Sequence, residues 1–261
     1  MAGVSGTGPG GDGRGTGAEP QWSHRIAEAL RRDRFVLHAQ QIVDVASGET
    51  RRHELFLRMG NGEGLIPAGE FVAAAENLGS IREIDRWVMG RAIEFAAAGN
   101  SVHVNLSMQS ANDELLAQIR DGPVKTGADP TRLVLELSES QLISGNRRGE
   151  GFLFDAHELG CRIALDGFVT GGRGAVLLKR LPIDFVKLGP PFVKGLSSDG
   201  RRRRKVRNAS AKAHESGQRV IAQGVEDLIT VQLLPDLAID EAQGYALGRP
   251  EPAESALSVP A

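Results

Sequence analysis

VHVNLS (Val102–Ser107), DELLAQIRDG (Asp113–Gly122), RLVLELSES (Arg132–Ser140), GFLFDAHELG (Gly151–Gly160) and CRIALDGF (Cys161–Phe168) follow one another, and their order decides the fold. The first, third and fifth are apolar runs of strand length; the second and fourth repeat apolar residues at helical spacing. Strand and helix alternating over short connections predict a mostly parallel sheet. Downstream the pattern continues through GAVLLKRLP, DFVKLG, a long polar helix from Arg201 to Ser216, RVIAQGVE and EAQGYALG. Upstream lie two helical stretches, PAGEFVAAAENLG and IDRWVMGRAIEFAAAG. Before them, FVLHAQQIVDV and ETRRHELFLRM read as a hairpin around the ASGE turn. So many repeated units fit a closed barrel better than a sandwich. An open doubly wound sheet would usually carry a glycine-rich phosphate loop after its first strand, and none follows FVLHAQQIVDV.

Several of these runs end on a polar residue: VHVN at Asn105, LVLE at Glu136, IALD at Asp166 and DFVK at Lys187, while HELFLR carries Glu54 inside an apolar stretch. An isolated carboxylate is costly to desolvate unless it is paired or bound to a cation. In a barrel the C-terminal ends of the strands open on one face, so these residues are expected to converge there on one polar site. Where a two-cation site would want further carboxylates, the chain has Gly167, Gly189 and Gln223.

Composition bounds the class. The chain has 261 residues, 41% of them hydrophobic and 25% charged, enough for one large domain with its own core. The formal charge of -2 gives no general attraction to nucleic acid or anionic lipid. No apolar run approaches the roughly 20 residues that cross a bilayer, and a single cysteine, Cys161, cannot form an internal disulfide. The first twenty residues hold eight glycines and no apolar export core. The expected organisation is a disordered tail over residues 1–21, a barrel over 22–253 and a second tail over 254–261, in a cytoplasmic protein that neither enters a membrane nor binds nucleic acid.

In order, ELFLR (Glu54–Arg58), VNLS, LELSES, LDGFVTG, LKRLPIDFVKL, IAQGVE and QGYALGRP resemble the motifs of the EAL domain family, the cyclic di-GMP phosphodiesterases and their inactive relatives. The resemblance covers residues 26–250. It implies an α/β fold, a modified TIM (β/α)8 barrel whose first strand runs antiparallel, in agreement with the hairpin. It also implies a site in which magnesium or manganese holds a water and the scissile phosphodiester, giving pGpG. Glu54, Asn105, Glu136 and Asp166 match the ligands of the first metal, and Lys187 matches the catalytic lysine. Gln40, Arg58 and Gln243 match positions that hold the nucleotide; a guanidinium suits phosphate because its planar fork donates two hydrogen bonds together.

The departures from the family pattern are equally specific. Gly167 and Gly189 stand where active members have aspartates, and Gln223 stands for a glutamate. Removing three negative charges weakens a second divalent site, because affinity follows ligand number and charge. One cation site is therefore expected at most, with the second lost. The implied function is a degenerate EAL domain, catalytically inactive, regulating by sensing cyclic di-GMP or by binding a protein partner. The alternative is a weakly active metal-dependent phosphodiesterase. Val169 and the TGGRGA loop also depart from the pattern near the segment through which relatives dimerise, which leaves a homodimer open.

Among the remaining features, RRRRK (Arg201–Lys205) opens a polar helix without interleaved aromatics and reads as a solvated face suited to an acidic partner. The six histidines show no metal-ligand spacing and are expected in core or surface roles, and Tyr245 is expected in the core.

Overall fold

Strands β1 (Phe35–Asp44) and β2 (Thr50–Gly60) form the expected antiparallel hairpin, paired from Phe35↔Met59 to Val43↔Thr50. The structure is a computed structural model that describes residues 18–144, 147–168 and 172–258. The strands that follow are β3 (Leu65–Pro67), β4 (Val102–Asn105), β5 (Leu133–Ser138), β6 (Arg162–Asp166), β7 (Phe185–Leu188), β8 (Arg219–Gln223), β9 (Glu241–Gln243) and β10 (Glu251–Pro252). From β2 through β4 to β9 each strand runs parallel to the next, and β1 closes the ring antiparallel to both β2 and β9. The result is the modified (β/α)8 barrel. β3 and β10 are short antiparallel additions to β2 and β1, too brief to leave an alternating pattern in the sequence.

Side chains on successive strand residues point to opposite faces. Val102, Val104, Leu133, Leu135, Ile163, Leu165, Val186 and Val220 are all buried in the large core that includes the helices. Ile42, Val134, Ala164, Phe185 and Ile221 form a separate apolar cluster. The near-continuous apolar runs thus serve two buried faces at once, as parallel strands do. Helix starts are fixed by caps: Asn112 accepts from the Leu115 N–H and opens helix Asp113–Thr126, and Asp199 accepts from the Arg201 and Arg202 N–H groups and opens helix Gly200–Glu215.

The first helix, Ala18–Arg31, begins ahead of the boundary expected at Trp22, and Leu257 is buried beyond the boundary expected at residue 253. The glycine-rich segment before residue 18, the 169–171 part of the loop expected at the dimer contact, and residues 259–261 lie outside the described residues. The arginine run is not simply a solvated face. Arg202 donates to the Pro191 and Lys194 carbonyls and Arg203 to those of Leu196 and Ser197, which ties down the segment before the helix. Among the described residues no helix is long and apolar enough to cross a membrane.

Candidate functional site

Two residues along each strand from the inner apolar cluster, toward the mouth of the barrel, the chemistry changes. Val134 gives way to Glu136, Ala164 to Asp166, Phe185 to Lys187 and Ile221 to Gln223; on the reversed strand β1, Ile42 gives way to Gln40. The same step leads from Arg52 to Glu54 on β2, from His103 to Asn105 on β4 and from Glu241 to Gln243 on β9. Every barrel strand therefore supplies one polar residue toward the mouth: the two-residue alternation sets the face each occupies, and the stagger between strands sets which of them meet.

Lys187 stands at the centre of this layer and is fully buried. Its Nζ donates to Glu54 Oε2 at 2.7 Å and to Glu136 Oε1 at 2.6 Å. Burial by itself lowers the Lys187 pKa, but Glu136, Glu54 and Asp166 outweigh it and hold the ammonium above the ordinary lysine range. Asn105 Nδ2 donates to Glu54 Oε1 at 2.9 Å. Burial raises the Asp166 pKa, Lys187 opposes it, and Glu136 and Glu54 add to it. The Gln223 amide lies between Asp166 and Lys187. In the orientation that satisfies both neighbours it donates to Asp166 Oδ1 at 2.9 Å and accepts from Lys187 Nζ at 3.0 Å.

Gln243 donates to Gln40 Oε1 at 3.0 Å, and Gln40 donates to the Gly248 carbonyl at 2.7 Å, so two of the expected nucleotide residues form one unit. Arg58 stands apart. Its Nη1 donates to the Leu57 carbonyl at 3.0 Å and its guanidinium lies over Phe56, 5.8 Å from the ring centre. Tyr245, expected in the core, is instead 56% exposed, with Arg249 over its ring at 4.4 Å. The turn after Gln243 carries it to the rim, where its apolar face is covered by the guanidinium rather than by core residues.

One member of the cluster was not singled out from the sequence. His103 is buried with Nδ1 2.6 Å from Glu136 Oε1. Burial, Lys187 and Arg52 lower its pKa well below the ordinary value, so the ring is neutral, Nδ1–H donates to the carboxylate, and Nε2 has no partner. The signal was present in VHVN, where His103 shares a strand face with Asn105.

The residues fit one divalent cation. Three carboxylates, from Glu54, Glu136 and Asp166, face one ammonium, and Glu136 Oε2 is buried without a partner. Negative charge and an open oxygen are what a hard cation takes. Gly167 and Gly189 bring no side chain to a second ion, and the Gln223 amide brings no charge. Among the described residues no group of three or more His, Cys, Asp and Glu forms a ready cage. The Lys187 ammonium, bonded to both Glu54 and Glu136, holds the place between them.

Two cavities flank the layer and share Phe56 and Asp166. One, of about 450 Å³, reaches between β2, β4 and helix Ile81–Ala97 past Leu57, Ile84 and Asp85. The other, of about 480 Å³, is lined by Gln40, Glu54, Pro190, Glu226, Gln243 and Tyr245.

Comparison with known proteins agrees with this geometry. The family model described as EAL domain matches residues 23–250. Signaling protein YkoW of Bacillus subtilis is 31% identical over 237 residues, which cover 88% of this chain and 30% of that protein. Cyclic di-GMP phosphodiesterase PdeB of Shewanella oneidensis is 31% identical over 246 residues, covering 90% of this chain and 29% of that one. The chain thus spans about 30% of the length of these curated relatives. A structure of PaMucR phosphodiesterase in complex with c-di-GMP superposes with a TM-score of 0.83 at 30% identity, over 91% of this chain and 100% of the other. The FimX EAL domain of Xanthomonas citri, also in complex with c-diGMP, gives 0.84 at 25% identity, over 90% and 95%.

Proposed function

Because the chain belongs to the EAL domain family, we propose that it binds cyclic di-GMP without efficiently hydrolysing it, as a regulatory module acting in the cytoplasm through a protein partner. The observation that carries this reading is the pair of cavities meeting at Phe56 and Asp166. Cyclic di-GMP is two guanines on a ring of two phosphodiesters, so each lobe takes one base and the phosphates lie over the polar layer. Guanine presents N–H donors along one edge, and each lobe offers a carboxylate to them, Asp85 in one and Glu226 in the other. Gln243 Oε1, buried and without a partner, is a further acceptor in the second lobe.

Turnover is lost in this reading because the oxygen donors for a second cation are missing. Glu54, Asn105, Glu136 and Asp166 would hold one ion, which when bound supplies charge neutralisation at a phosphodiester oxygen. Lys187 and Gln223 then orient Asp166 and Glu54 but do not replace the carboxylates absent at residues 167, 189 and 223. The unpartnered Glu136 Oε2 favours a second reading, a one-cation phosphodiesterase releasing pGpG slowly.

Calorimetry with cyclic di-GMP, in EDTA and in manganese, and chromatography for pGpG test both readings. Saturable heat without pGpG is the expected result. Absence of heat at millimolar nucleotide sinks the binding proposal, and robust pGpG formation in manganese sinks the inactive one.

A further inference from the structure

Gln223 joins two groups of opposite charge. Asp166, as a carboxylate, only accepts hydrogen bonds, and Lys187, as an ammonium, only donates them. A side chain that touches both must accept and donate at once, from atoms about as far apart as an amide's oxygen and nitrogen. The Gln223 amide does so at 3.0 Å and 2.9 Å. An ionised glutamate in the same place would still accept from Lys187, but it would set a second negative oxygen against Asp166 Oδ1 at hydrogen-bond distance, with no donor between them. That contact persists only with a proton or a cation between the two oxygens. Leucine or methionine would leave both charged groups short of a partner.

We propose that Gln223 is a positioning residue, an amide clamp that joins Asp166 to Lys187 in place of a bridging cation and so limits the site to at most one divalent ion. The proposal deepens the reading above by assigning the lost second ion to one side chain. It rests on that reading only in taking the polar layer as the ligand floor.

The test uses the full chain without nucleotide, so that its failure is separate from a failure to bind cyclic di-GMP. Gln223→Glu and Gln223→Leu are compared with the native chain by thermal unfolding in EDTA and in manganese, and by manganese calorimetry. Gln223→Glu is expected to unfold at lower temperature in EDTA, to recover in manganese, and to bind manganese at least about tenfold more tightly than the native chain. Gln223→Leu is expected to lose stability in EDTA and to gain no more from manganese than the native chain does. Unchanged manganese affinity in Gln223→Glu, or equal rescue of both variants, overturns the clamp. Should either variant fail to fold, the native chain still decides. The Gln223 side-chain N–H₂ resonances are expected to exchange slowly with solvent, and rapid exchange overturns the proposal.

Discussion

Lys187 is the residue on which the inner layer depends. It is a buried cation between two buried carboxylates, and removing one partner of such a set leaves uncompensated charge. Lys187→Met, similar in length and apolar, is expected to cost about 3–5 kcal/mol in urea unfolding. A loss below about 1 kcal/mol, the range of an exposed pair, would show that Glu54 and Glu136 have another counter-charge. Asp85 allows a pH experiment. It is buried, accepts from the Ser107 N–H at 3.0 Å, and has its carboxyl pushed up to about 6, chiefly by burial, from an ordinary value of 3.8. The folded chain therefore holds this proton more tightly than the unfolded chain. The associated stability is present in full below about pH 4 and is lost as pH rises through about 6. Asp85→Asn keeps an acceptor oxygen but carries no charge. It is expected to be more stable than the native chain at pH 8, by about 1–3 kcal/mol, and to show no such advantage at pH 4. Equal differences in urea unfolding at the two pH values would contradict this.

At the scale of elements, the end of β9 and the turn after β8 cross at close range. The Val225 N–H donates to the Gln243 carbonyl at 3.0 Å, and the Ala246 N–H donates to the Val225 carbonyl at 3.0 Å. Gly244 lies between these bonds at φ 156°, where a Cβ would meet Val225 N and O at 2.2 Å. No rotamer relieves a clash with backbone. Gly244→Ala is expected to lose about 3 kcal/mol or more, or to fail to fold, while Gly48→Ala in the hairpin turn, at φ 72° with open space around it, costs about 1–2 kcal/mol. Thermal unfolding of the two variants side by side measures the difference, and similar melting temperatures would refute the crossing. The same crossing sets Gln243 and Tyr245 on opposite sides of the turn, the one in the layer and the other at the rim.

At the scale of the whole molecule, the barrel frame lacks carboxylates at three strand ends, Gly167, Gly189 and Gln223, on which the proposed loss of a second ion rests. The frame accepts their return. Gly167 has open space around it and a φ of 70°, a region that aspartate enters more readily than most residues. A Cβ on Gly189 meets only ordinary contact, 3.6 Å from Pro191 Cδ. The triple variant Gly167→Asp, Gly189→Asp and Gln223→Glu is expected to fold, to bind manganese more tightly than the native chain, and to release pGpG from cyclic di-GMP at least about a hundredfold faster, the scale of one well-placed electrostatic contribution. Unchanged manganese affinity in a folded triple variant would show that the three positions do not face one ion.

The residues were legible to different depths. The order of strands and helices follows from apolar spacing, and so do the antiparallel hairpin and the polar endings at Asn105, Glu136, Asp166 and Lys187, because both periodicities are local properties of the chain. The sequence alone also determined that carboxylates are missing at residues 167, 189 and 223. Only the closed barrel decided that Gln243 donates to Gln40, that His103 lies beneath Glu136, and that Asp85 lines one lobe. It also placed Tyr245 at the rim and turned Arg202 and Arg203 from a solvated face into backbone anchors. The reason is distance along the chain. Lys187 and Glu54 are 133 positions apart, and which of their atoms meet depends on how the strands are staggered when the sheet closes, a property of the ring of strands and of no segment within it.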